Sequence, residues 1–218
     1  MSDLGRHDGL VEDLASHLDP VRPLPAPGSR AALWLAAAVL LGLALATRYS
    51  AAGLAVRMAV PDMALAALGA VLTAVSAAYA AFATSVPGRS AAWALLPLPA
   101  AALWIGASGL GCLRDWLVPG APLADAGEMR GCFGFLVGVS APLSAILVLM
   151  LRRACPLRPN LTAALAGLAA AAAAAALLVP FHPHDTTVSD LVVHAGVVAG
   201  VIGLNALAGG RVLAGRPG

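Results

Sequence analysis

The side chains best suited to chemistry lie close together near the end of the chain. His182, His184 and Asp185 fall in one turn, and Asp190 and His194 follow within the next ten positions. Imidazole and carboxylate groups are ligands for zinc, copper and related metals. The turn at His182, His184 and Asp185 is therefore a candidate metal site.

Two other interpretations of this cluster stay open. Asp190 and His194 are four residues apart, so on a helix they share a face and can pair for purely structural reasons. In that interpretation His182 and His184 are ordinary solvated loop residues. The other interpretation is a proton- or redox-sensing role, because a histidine inside a membrane is costly unless it is paired or lines a cavity.

Three cysteines complete the set of reactive groups. Cys112 and Cys132 flank a loop that contains proline and glycine. A disulfide between them and two separate thiols are both consistent with this spacing, since the sequence cannot show whether the sulfur atoms meet. Cys155 is predicted to be a packing residue.

The elements that must position these groups are predicted to be membrane-spanning helices. Hydrophobic residues make up 60% of the chain and charged residues 11%, whereas soluble domains carry about 25% charged residues. Six apolar segments approach the roughly 20 residues that a helix needs to cross a bilayer. They cover residues 31–47, 62–84, 91–111, 132–151, 161–180 and 188–208. The fold class is all-α, an integral membrane bundle of six transmembrane helices with a short cytoplasmic N-terminal amphipathic helix.

That N-terminal helix is predicted over residues 4–18. Leu10, Leu14 and Leu18 recur every four residues with Val11 beside them, which is the spacing of one helical face. Glu12 and Asp13 lie on the other side. The helix either lies on the membrane surface or docks a protein partner, and its acidity argues against the surface, where basic residues are favoured.

The predicted organisation has three parts. Residues 1–30 form a cytoplasmic tail, made of the helix and a proline-rich linker, residues 31–210 form the six-helix domain, and residues 211–218 form a cytoplasmic C-terminal tail. With the N-terminus inside, nine arginines fall in cytoplasmic segments and four in outer loops. The excess of arginine on one side predicts that both termini are cytoplasmic. Cys112, Cys132 and the histidine turn then lie at or near the outer face.

Several short motifs follow one another along the chain, at residues 10–15, 18–24, 57–62, 86–88, 130–132 and 152–156. In their order and spacing they resemble the NrsF family of bacterial inner-membrane anti-sigma factors, which regulate an extracytoplasmic-function sigma factor negatively. The resemblance covers nearly the whole chain. It implies that the N-terminal tail binds the sigma factor, here through Leu10, Val11, Glu12, Asp13, Leu14 and Leu18.

The chain departs from the family pattern in the histidine turn. Where the family tends to have His-Cys-Pro-x-Asp, this chain has Phe181 and His182 before Pro183 and Asp185. Cys132 has a counterpart in the family, and the resemblance implies that outer-face cysteines sense metals or oxidants. The candidate sensing residues of this chain are therefore Cys112, Cys132, His182 and His194.

Two functions from different classes follow. The first is a membrane-bound anti-sigma factor that sequesters an extracytoplasmic-function sigma factor and releases it on a periplasmic signal, such as a metal or oxidative stress. Its partners are the sigma factor and the lipid bilayer, without direct nucleic-acid binding, enzyme activity or a resident cofactor, although a sensed metal ion remains open. The alternative is a small transporter or membrane-embedded enzyme that uses Asp190 and His194, with Asn205, as a polar path.

Overall fold

The computed structural model describes residues 2–18, 23–47, 54–117, 126–180 and 188–214. Within these ranges the chain is helical and contains no strand, which confirms the all-α prediction. The helices are α1 (Ser2–Ser16), α2 (Pro27–Ala46), α3 (Leu54–Met58), α4 (Pro61–Thr84), α5 (Leu98–Trp116), α6 (Ala126–Arg152), α7 (Pro159–Leu178), α8 (Val188–Leu204) and α9 (Gly210–Ala214).

Six helical segments are long and apolar enough to cross a membrane. That finding is compatible with a multi-pass membrane protein, as predicted. Proline stands in the first turn of α2, α4 and α7, where its missing N–H would have no helical partner in any case. The sequence thus contains start signals for three of the six segments.

The third segment differs from the single helix predicted over 91–111. A 3₁₀ turn at Ala91–Leu95 comes first, and α5 starts only at Leu98. Leu96 keeps helical dihedral angles, but Pro97, which lies between the two, has no N–H and so interrupts the helical hydrogen-bond pattern. The short helix α3, which precedes the second segment, has no counterpart in the prediction.

The core is built from helices α4 and α7, whose small side chains let the backbones approach closely. The run of alanines at 169–176 is almost entirely buried in the middle of the bundle. Gly167 of α7 sits against α8, where an added Cβ would come 2.9 Å from the carbonyl oxygen of Val201 and 2.9 Å from Cβ of Asn205. Small residues at such crossings are a recurrent device of membrane helix packing.

Contacts between helix ends define two ends of the bundle. At the tail end, so called because the N-terminal tail joins α2 there, Thr84 at the end of α4 meets Thr162 at the start of α7, with 3.3 Å between their hydroxyl oxygens. At the opposite, cysteine end, Cys132 near the start of α6 meets His194 near the start of α8. Successive long helices therefore run in alternating directions between these two ends.

The tail end holds the start of α2 in place through two long side chains. The Arg30 side chain is 6% exposed, donates to the carbonyl oxygen of Met150 on α6 and lies 4.5 Å from the ring centre of Phe82 on α4. One turn later, Trp34 Nε1 donates to the carbonyl oxygen of Leu143 at 3.0 Å. The linker that carries α1 thus leads into a helix that is fixed to α4 and α6.

The sixth segment contains a local widening of the helix. Residues Asn205–Gly209 form a π-helical turn, a feature often found where a helix has a special role. Asn205 Nδ2 donates to Ser144 Oγ of α6 at 3.1 Å and to the carbonyl oxygen of Val201 at 2.8 Å. This amide ties α8 to α6 across the Gly167 crossing.

The prediction that Cys155 is a packing residue is wrong. Cys155 is exposed and has a φ of 45°, the left-handed conformation that ends many helices and turns the chain away from the axis. It stands between the last turn of α6 and Pro156, so its side chain points away from the core.

Candidate sensing and partner-binding sites

The cysteine end contains a thiol–imidazole pair. Sγ of Cys132 lies 3.7 Å from Nδ1 and 3.8 Å from Nε2 of His194. Cys132 is 4% exposed, and His194 is partly exposed. Thiolate and imidazole are ligands that zinc, copper and similar ions prefer, and a thiol in contact with a histidine is also a candidate for oxidation chemistry.

Both residues owe their position to the helices that carry them. Cys132 faces the core together with Leu136 and Val139, at helical spacings of four and seven residues that place them on one face. His194 lies three residues before Val197, the buried position of α8. The pair therefore forms where the inward faces of α6 and α8 meet.

The other candidate sensing cysteine takes no part in a disulfide. Cys112 is a buried thiol on α5, and neither it nor Cys132 is part of a disulfide. Of the two alternatives for these cysteines, the structure contains separate thiols. Next to Cys112, Gly111 packs against the start of α4, where an added Cβ would come 2.8 Å from Oδ2 of Asp62.

The proposed metal ligands His182, His184 and Asp185 lie outside the described residues, as does the side chain of Asp190. The predicted metal site and the predicted pairing of Asp190 with His194 thus remain predictions. Among the described residues, no three histidine, cysteine or acidic side chains are grouped closely enough to hold a metal ion.

The N-terminal helix presents an apolar stripe that the rest of the described chain leaves uncovered. Leu10, Val11, Leu14 and Leu18 have exposed fractions of 55%, 64%, 59% and 76%. Every described side chain from His7 to Leu18 is exposed. Four large apolar side chains in an exposed row of this kind are typical of a helix that binds a partner in a groove.

The acidic residues of this helix lie beside the stripe and are also exposed. Asp13 is 3.8 Å from Nδ1 of His17, and its carbonyl oxygen accepts from the hydroxyl of Ser16 at 2.8 Å. These local contacts close the last turn, and α1 ends at Ser16 rather than at the predicted residue 18.

Sequence reasoning missed the contacts of Arg30. The available signal was an arginine at the start of an apolar segment, four residues before a tryptophan. In the sequence, Arg30 serves only as one of the arginines that indicate the orientation in the membrane. In the structure its side chain is buried against Phe82. One nitrogen, Nη1, is buried without a hydrogen-bond partner.

The polar path of the alternative function is not continuous through the described part of α8. Asn205 is eleven residues from His194, or roughly 16 Å along the helix axis. Its amide is bound to Ser144 and to the carbonyl oxygen of Val201. His194 and Asn205 therefore lie at different depths of the bundle and contact different partners, Cys132 in the first case and Ser144 in the second.

Comparison with known protein families places the chain in one of them. The model of the family described as NrsF, negative regulator of sigma F, matches residues 14–214. The chain belongs to the NrsF family. No curated protein and no solved structure matches it. NrsF membership makes the protein a negative regulator of a sigma factor, and therefore gives it a sigma factor as partner.

The NrsF match includes both Cys132 and His194 and the last residues of α1, beginning at Leu14. The earlier part of the apolar stripe, at Leu10 and Val11, precedes the matched range. The regulatory class thus rests on the family, whereas the assignment of particular side chains to sigma-factor binding rests on the shape and exposure of α1.

Proposed function

We propose that this protein is a membrane-bound anti-sigma factor that holds an extracytoplasmic-function sigma factor through its N-terminal helix. The observation that carries the proposal is the exposed apolar stripe of α1, in a chain whose family regulates a sigma factor negatively. Glu12 and Asp13 beside the stripe complement a partner whose nucleic-acid-binding surface is basic, which favours a specific and fast encounter.

Both termini are cytoplasmic in this proposal, and the membrane is the bacterial inner membrane. Six arginines of the described bundle lie in helix ends and turns at the tail end, whereas three, Arg57, Arg114 and Arg130, lie at the cysteine end. Membrane proteins keep arginine on the cytoplasmic side, so the tail end faces the cytoplasm. The tail-end arginines are Arg30, Arg89, Arg152, Arg153, Arg158 and Arg211.

The periplasmic input is a metal ion or an oxidant that acts at the cysteine end. Support comes from the contact between Cys132 and His194, since a bound metal or an oxidised sulfur would change how α6 packs on α8. The change reaches the tail end through α6, whose last turns hold Arg30 and Trp34 of α2. The output is a shift between two states, one that binds the sigma factor and one that does not.

Deletion of residues 1–27 tests the proposed division of labour. It removes α1 and the linker but only the first residue of α2, so the truncated protein should still enter the membrane. We expect the deletion to abolish co-purification of the sigma factor and to raise sigma-dependent transcription to the level of a strain without the regulator. Unchanged transcription in a strain with normal amounts of truncated protein in its membranes would refute the proposal.

A further inference from the structure

Helices α4, α5, α7 and α8 line a half-open cavity of about 400 Å³ that lies apart from the N-terminal helix. Its floor consists of small side chains, including Ala67 and Ala70 of α4 and Ala175 of α7. Its walls are Trp104 and Ile105 of α5 and the facing side of α8. The volume falls within the range of about 300–1,000 Å³ of small-molecule sites, which are likewise mostly apolar.

The cavity is long and follows the helix axes. Its lining on α8 runs from Leu191 to Ile202, a separation of eleven residues or roughly 16 Å. One leaflet of a bilayer has about half of the roughly 30 Å hydrocarbon thickness. From His194, a polar side chain of this lining, to Ile202 the separation is eight residues or roughly 12 Å, so the cavity accommodates most of the part of a lipid chain that lies within one leaflet.

The polar side chains of the lining lie in the half of the cavity nearer the cysteine end. Ser108 lies eight residues before the end of α5 and His194 six residues after the start of α8, or roughly 12 and 9 Å from those ends. The lining at the other extreme is apolar, as at Ala101 and Ile202. The cavity thus matches a ligand with a polar group at one end and a hydrocarbon body.

We propose that the cavity binds a single-chain amphiphile of the fatty-acid class, with its carboxyl group beside Ser108 and His194 and its chain along the groove between α5 and α8. The bound molecule then touches the imidazole of His194, which also contacts Cys132. Its binding therefore couples the lipid content of the membrane to the thiol–imidazole pair at the cysteine end. This inference rests on the proposed insertion into a membrane but not on sigma-factor binding.

The binding test uses the full-length protein in phosphatidylcholine nanodiscs and a 16-carbon fatty acid carrying bromine on its chain. Bromine quenches indole fluorescence on contact, and Trp104 lines the cavity. We expect saturable quenching that Trp104→Phe removes. Ala67→Phe, which fills the floor, should abolish the saturable phase, whereas Ala36→Phe on the exposed side of α2 should leave it intact. If Ala67→Phe does not fold, Ala101→Phe narrows the same cavity from α5.

The polar end is tested by comparing the fatty acid with a brominated alkane of equal length. We expect the acid to bind about fivefold more tightly, as for one lost hydrogen bond, and His194→Ala to remove that difference. Quenching that rises without saturation, equally in Ala67→Phe and Ala36→Phe, would mean adventitious partitioning and overturn the proposal. Dimerisation that covers Ile105, without saturable quenching, would also overturn it.

Membrane insertion is checked separately, by recovery of the protein from alkali-washed membranes, and sigma-factor binding by co-purification. A protein that inserts and binds the sigma factor but shows no saturable quenching refutes the cavity proposal alone. A protein that does not insert refutes both proposals.

Discussion

At the scale of single residues, the pair of Cys132 and His194 joins the start of α6 to the start of α8. Both residues are rare polar groups near the end of an apolar segment. Their contact joins positions 62 residues apart, and no local pattern specifies which faces of α6 and α8 come together. The same holds for Asn205 and Ser144. Arg30 lies at the edge of an apolar segment, and at such a position the sequence does not show whether the arginine side chain is exposed or buried.

The thiol–imidazole pair leads to a prediction about sensing. Cys132→Ser and His194→Ala should each reduce metal- or oxidant-induced release of the sigma factor several-fold, because each removes a ligand or the reactive sulfur. His182→Ala combined with His184→Ala should also blunt the response if the predicted metal site exists. The measurement is sigma-dependent transcription with and without zinc, cadmium or peroxide.

Cys155→Ser is the matched control for this series. It also removes a thiol, but from the exposed turn at the other end of the bundle, and it should leave the response unchanged. A full response in Cys132→Ser, together with a loss in Cys155→Ser, would transfer the sensing role to the tail end and contradict the proposed site.

At the scale of elements, composition predicted the long helices well. The second segment was expected at 62–84 and is Pro61–Thr84, because an apolar stretch bounded by proline and by polar turns leaves little choice. The third segment was predicted less well, since a proline within an apolar stretch can bend a helix or divide it. The π-helical turn at Asn205–Gly209 has no local signal, and it accompanies contacts of α8 with α6 and α7.

The crossing of α7 and α8 allows a stability prediction. Gly167→Ala should destabilise the protein by about 1–3 kcal/mol, the usual cost of overpacking, since an added Cβ would come within 3.0 Å of two atoms of α8 and one of the π-helical turn that follows it. The readout is the midpoint of thermal unfolding in detergent. Gly200→Ala on the facing helix is the control, because its Cβ would meet no atom within 4 Å. Equal midpoints for the two variants would contradict the close crossing.

At the scale of the whole molecule, the bundle separates a chemical input from a protein-binding output. The thiol–imidazole pair is at one end, and the exposed helix is joined to the other. The six-segment layout and the existence of α1 were predictable from apolar length and from the leucine spacing. The connection between the ends was not, because Arg30, Trp34 and the carbonyl groups they bind belong to different helices.

The orientation is testable with a natural probe. Cys155 is exposed at the tail end, whereas Cys112 and Cys132 are buried. A membrane-impermeant maleimide should fail to label Cys155 in intact spheroplasts and should label it after lysis, because the tail end is cytoplasmic in our proposal. Cys155→Ser gives the background. Labelling of intact spheroplasts that disappears in Cys155→Ser would reverse the orientation.

The central claim is that the apolar stripe of α1 binds the sigma factor, and a pair of charge substitutions on this helix tests it most directly. Leu14→Asp puts a carboxylate into the stripe. Gly9→Asp adds the same charge about 140° away around the helix, at a position where a side chain meets no neighbour within 4 Å. The measurement is the dissociation constant of the full-length protein for its sigma factor. We predict that Leu14→Asp weakens binding about tenfold or more and that Gly9→Asp leaves it nearly unchanged. Equal affinities for Leu14→Asp and the unaltered protein would contradict the account.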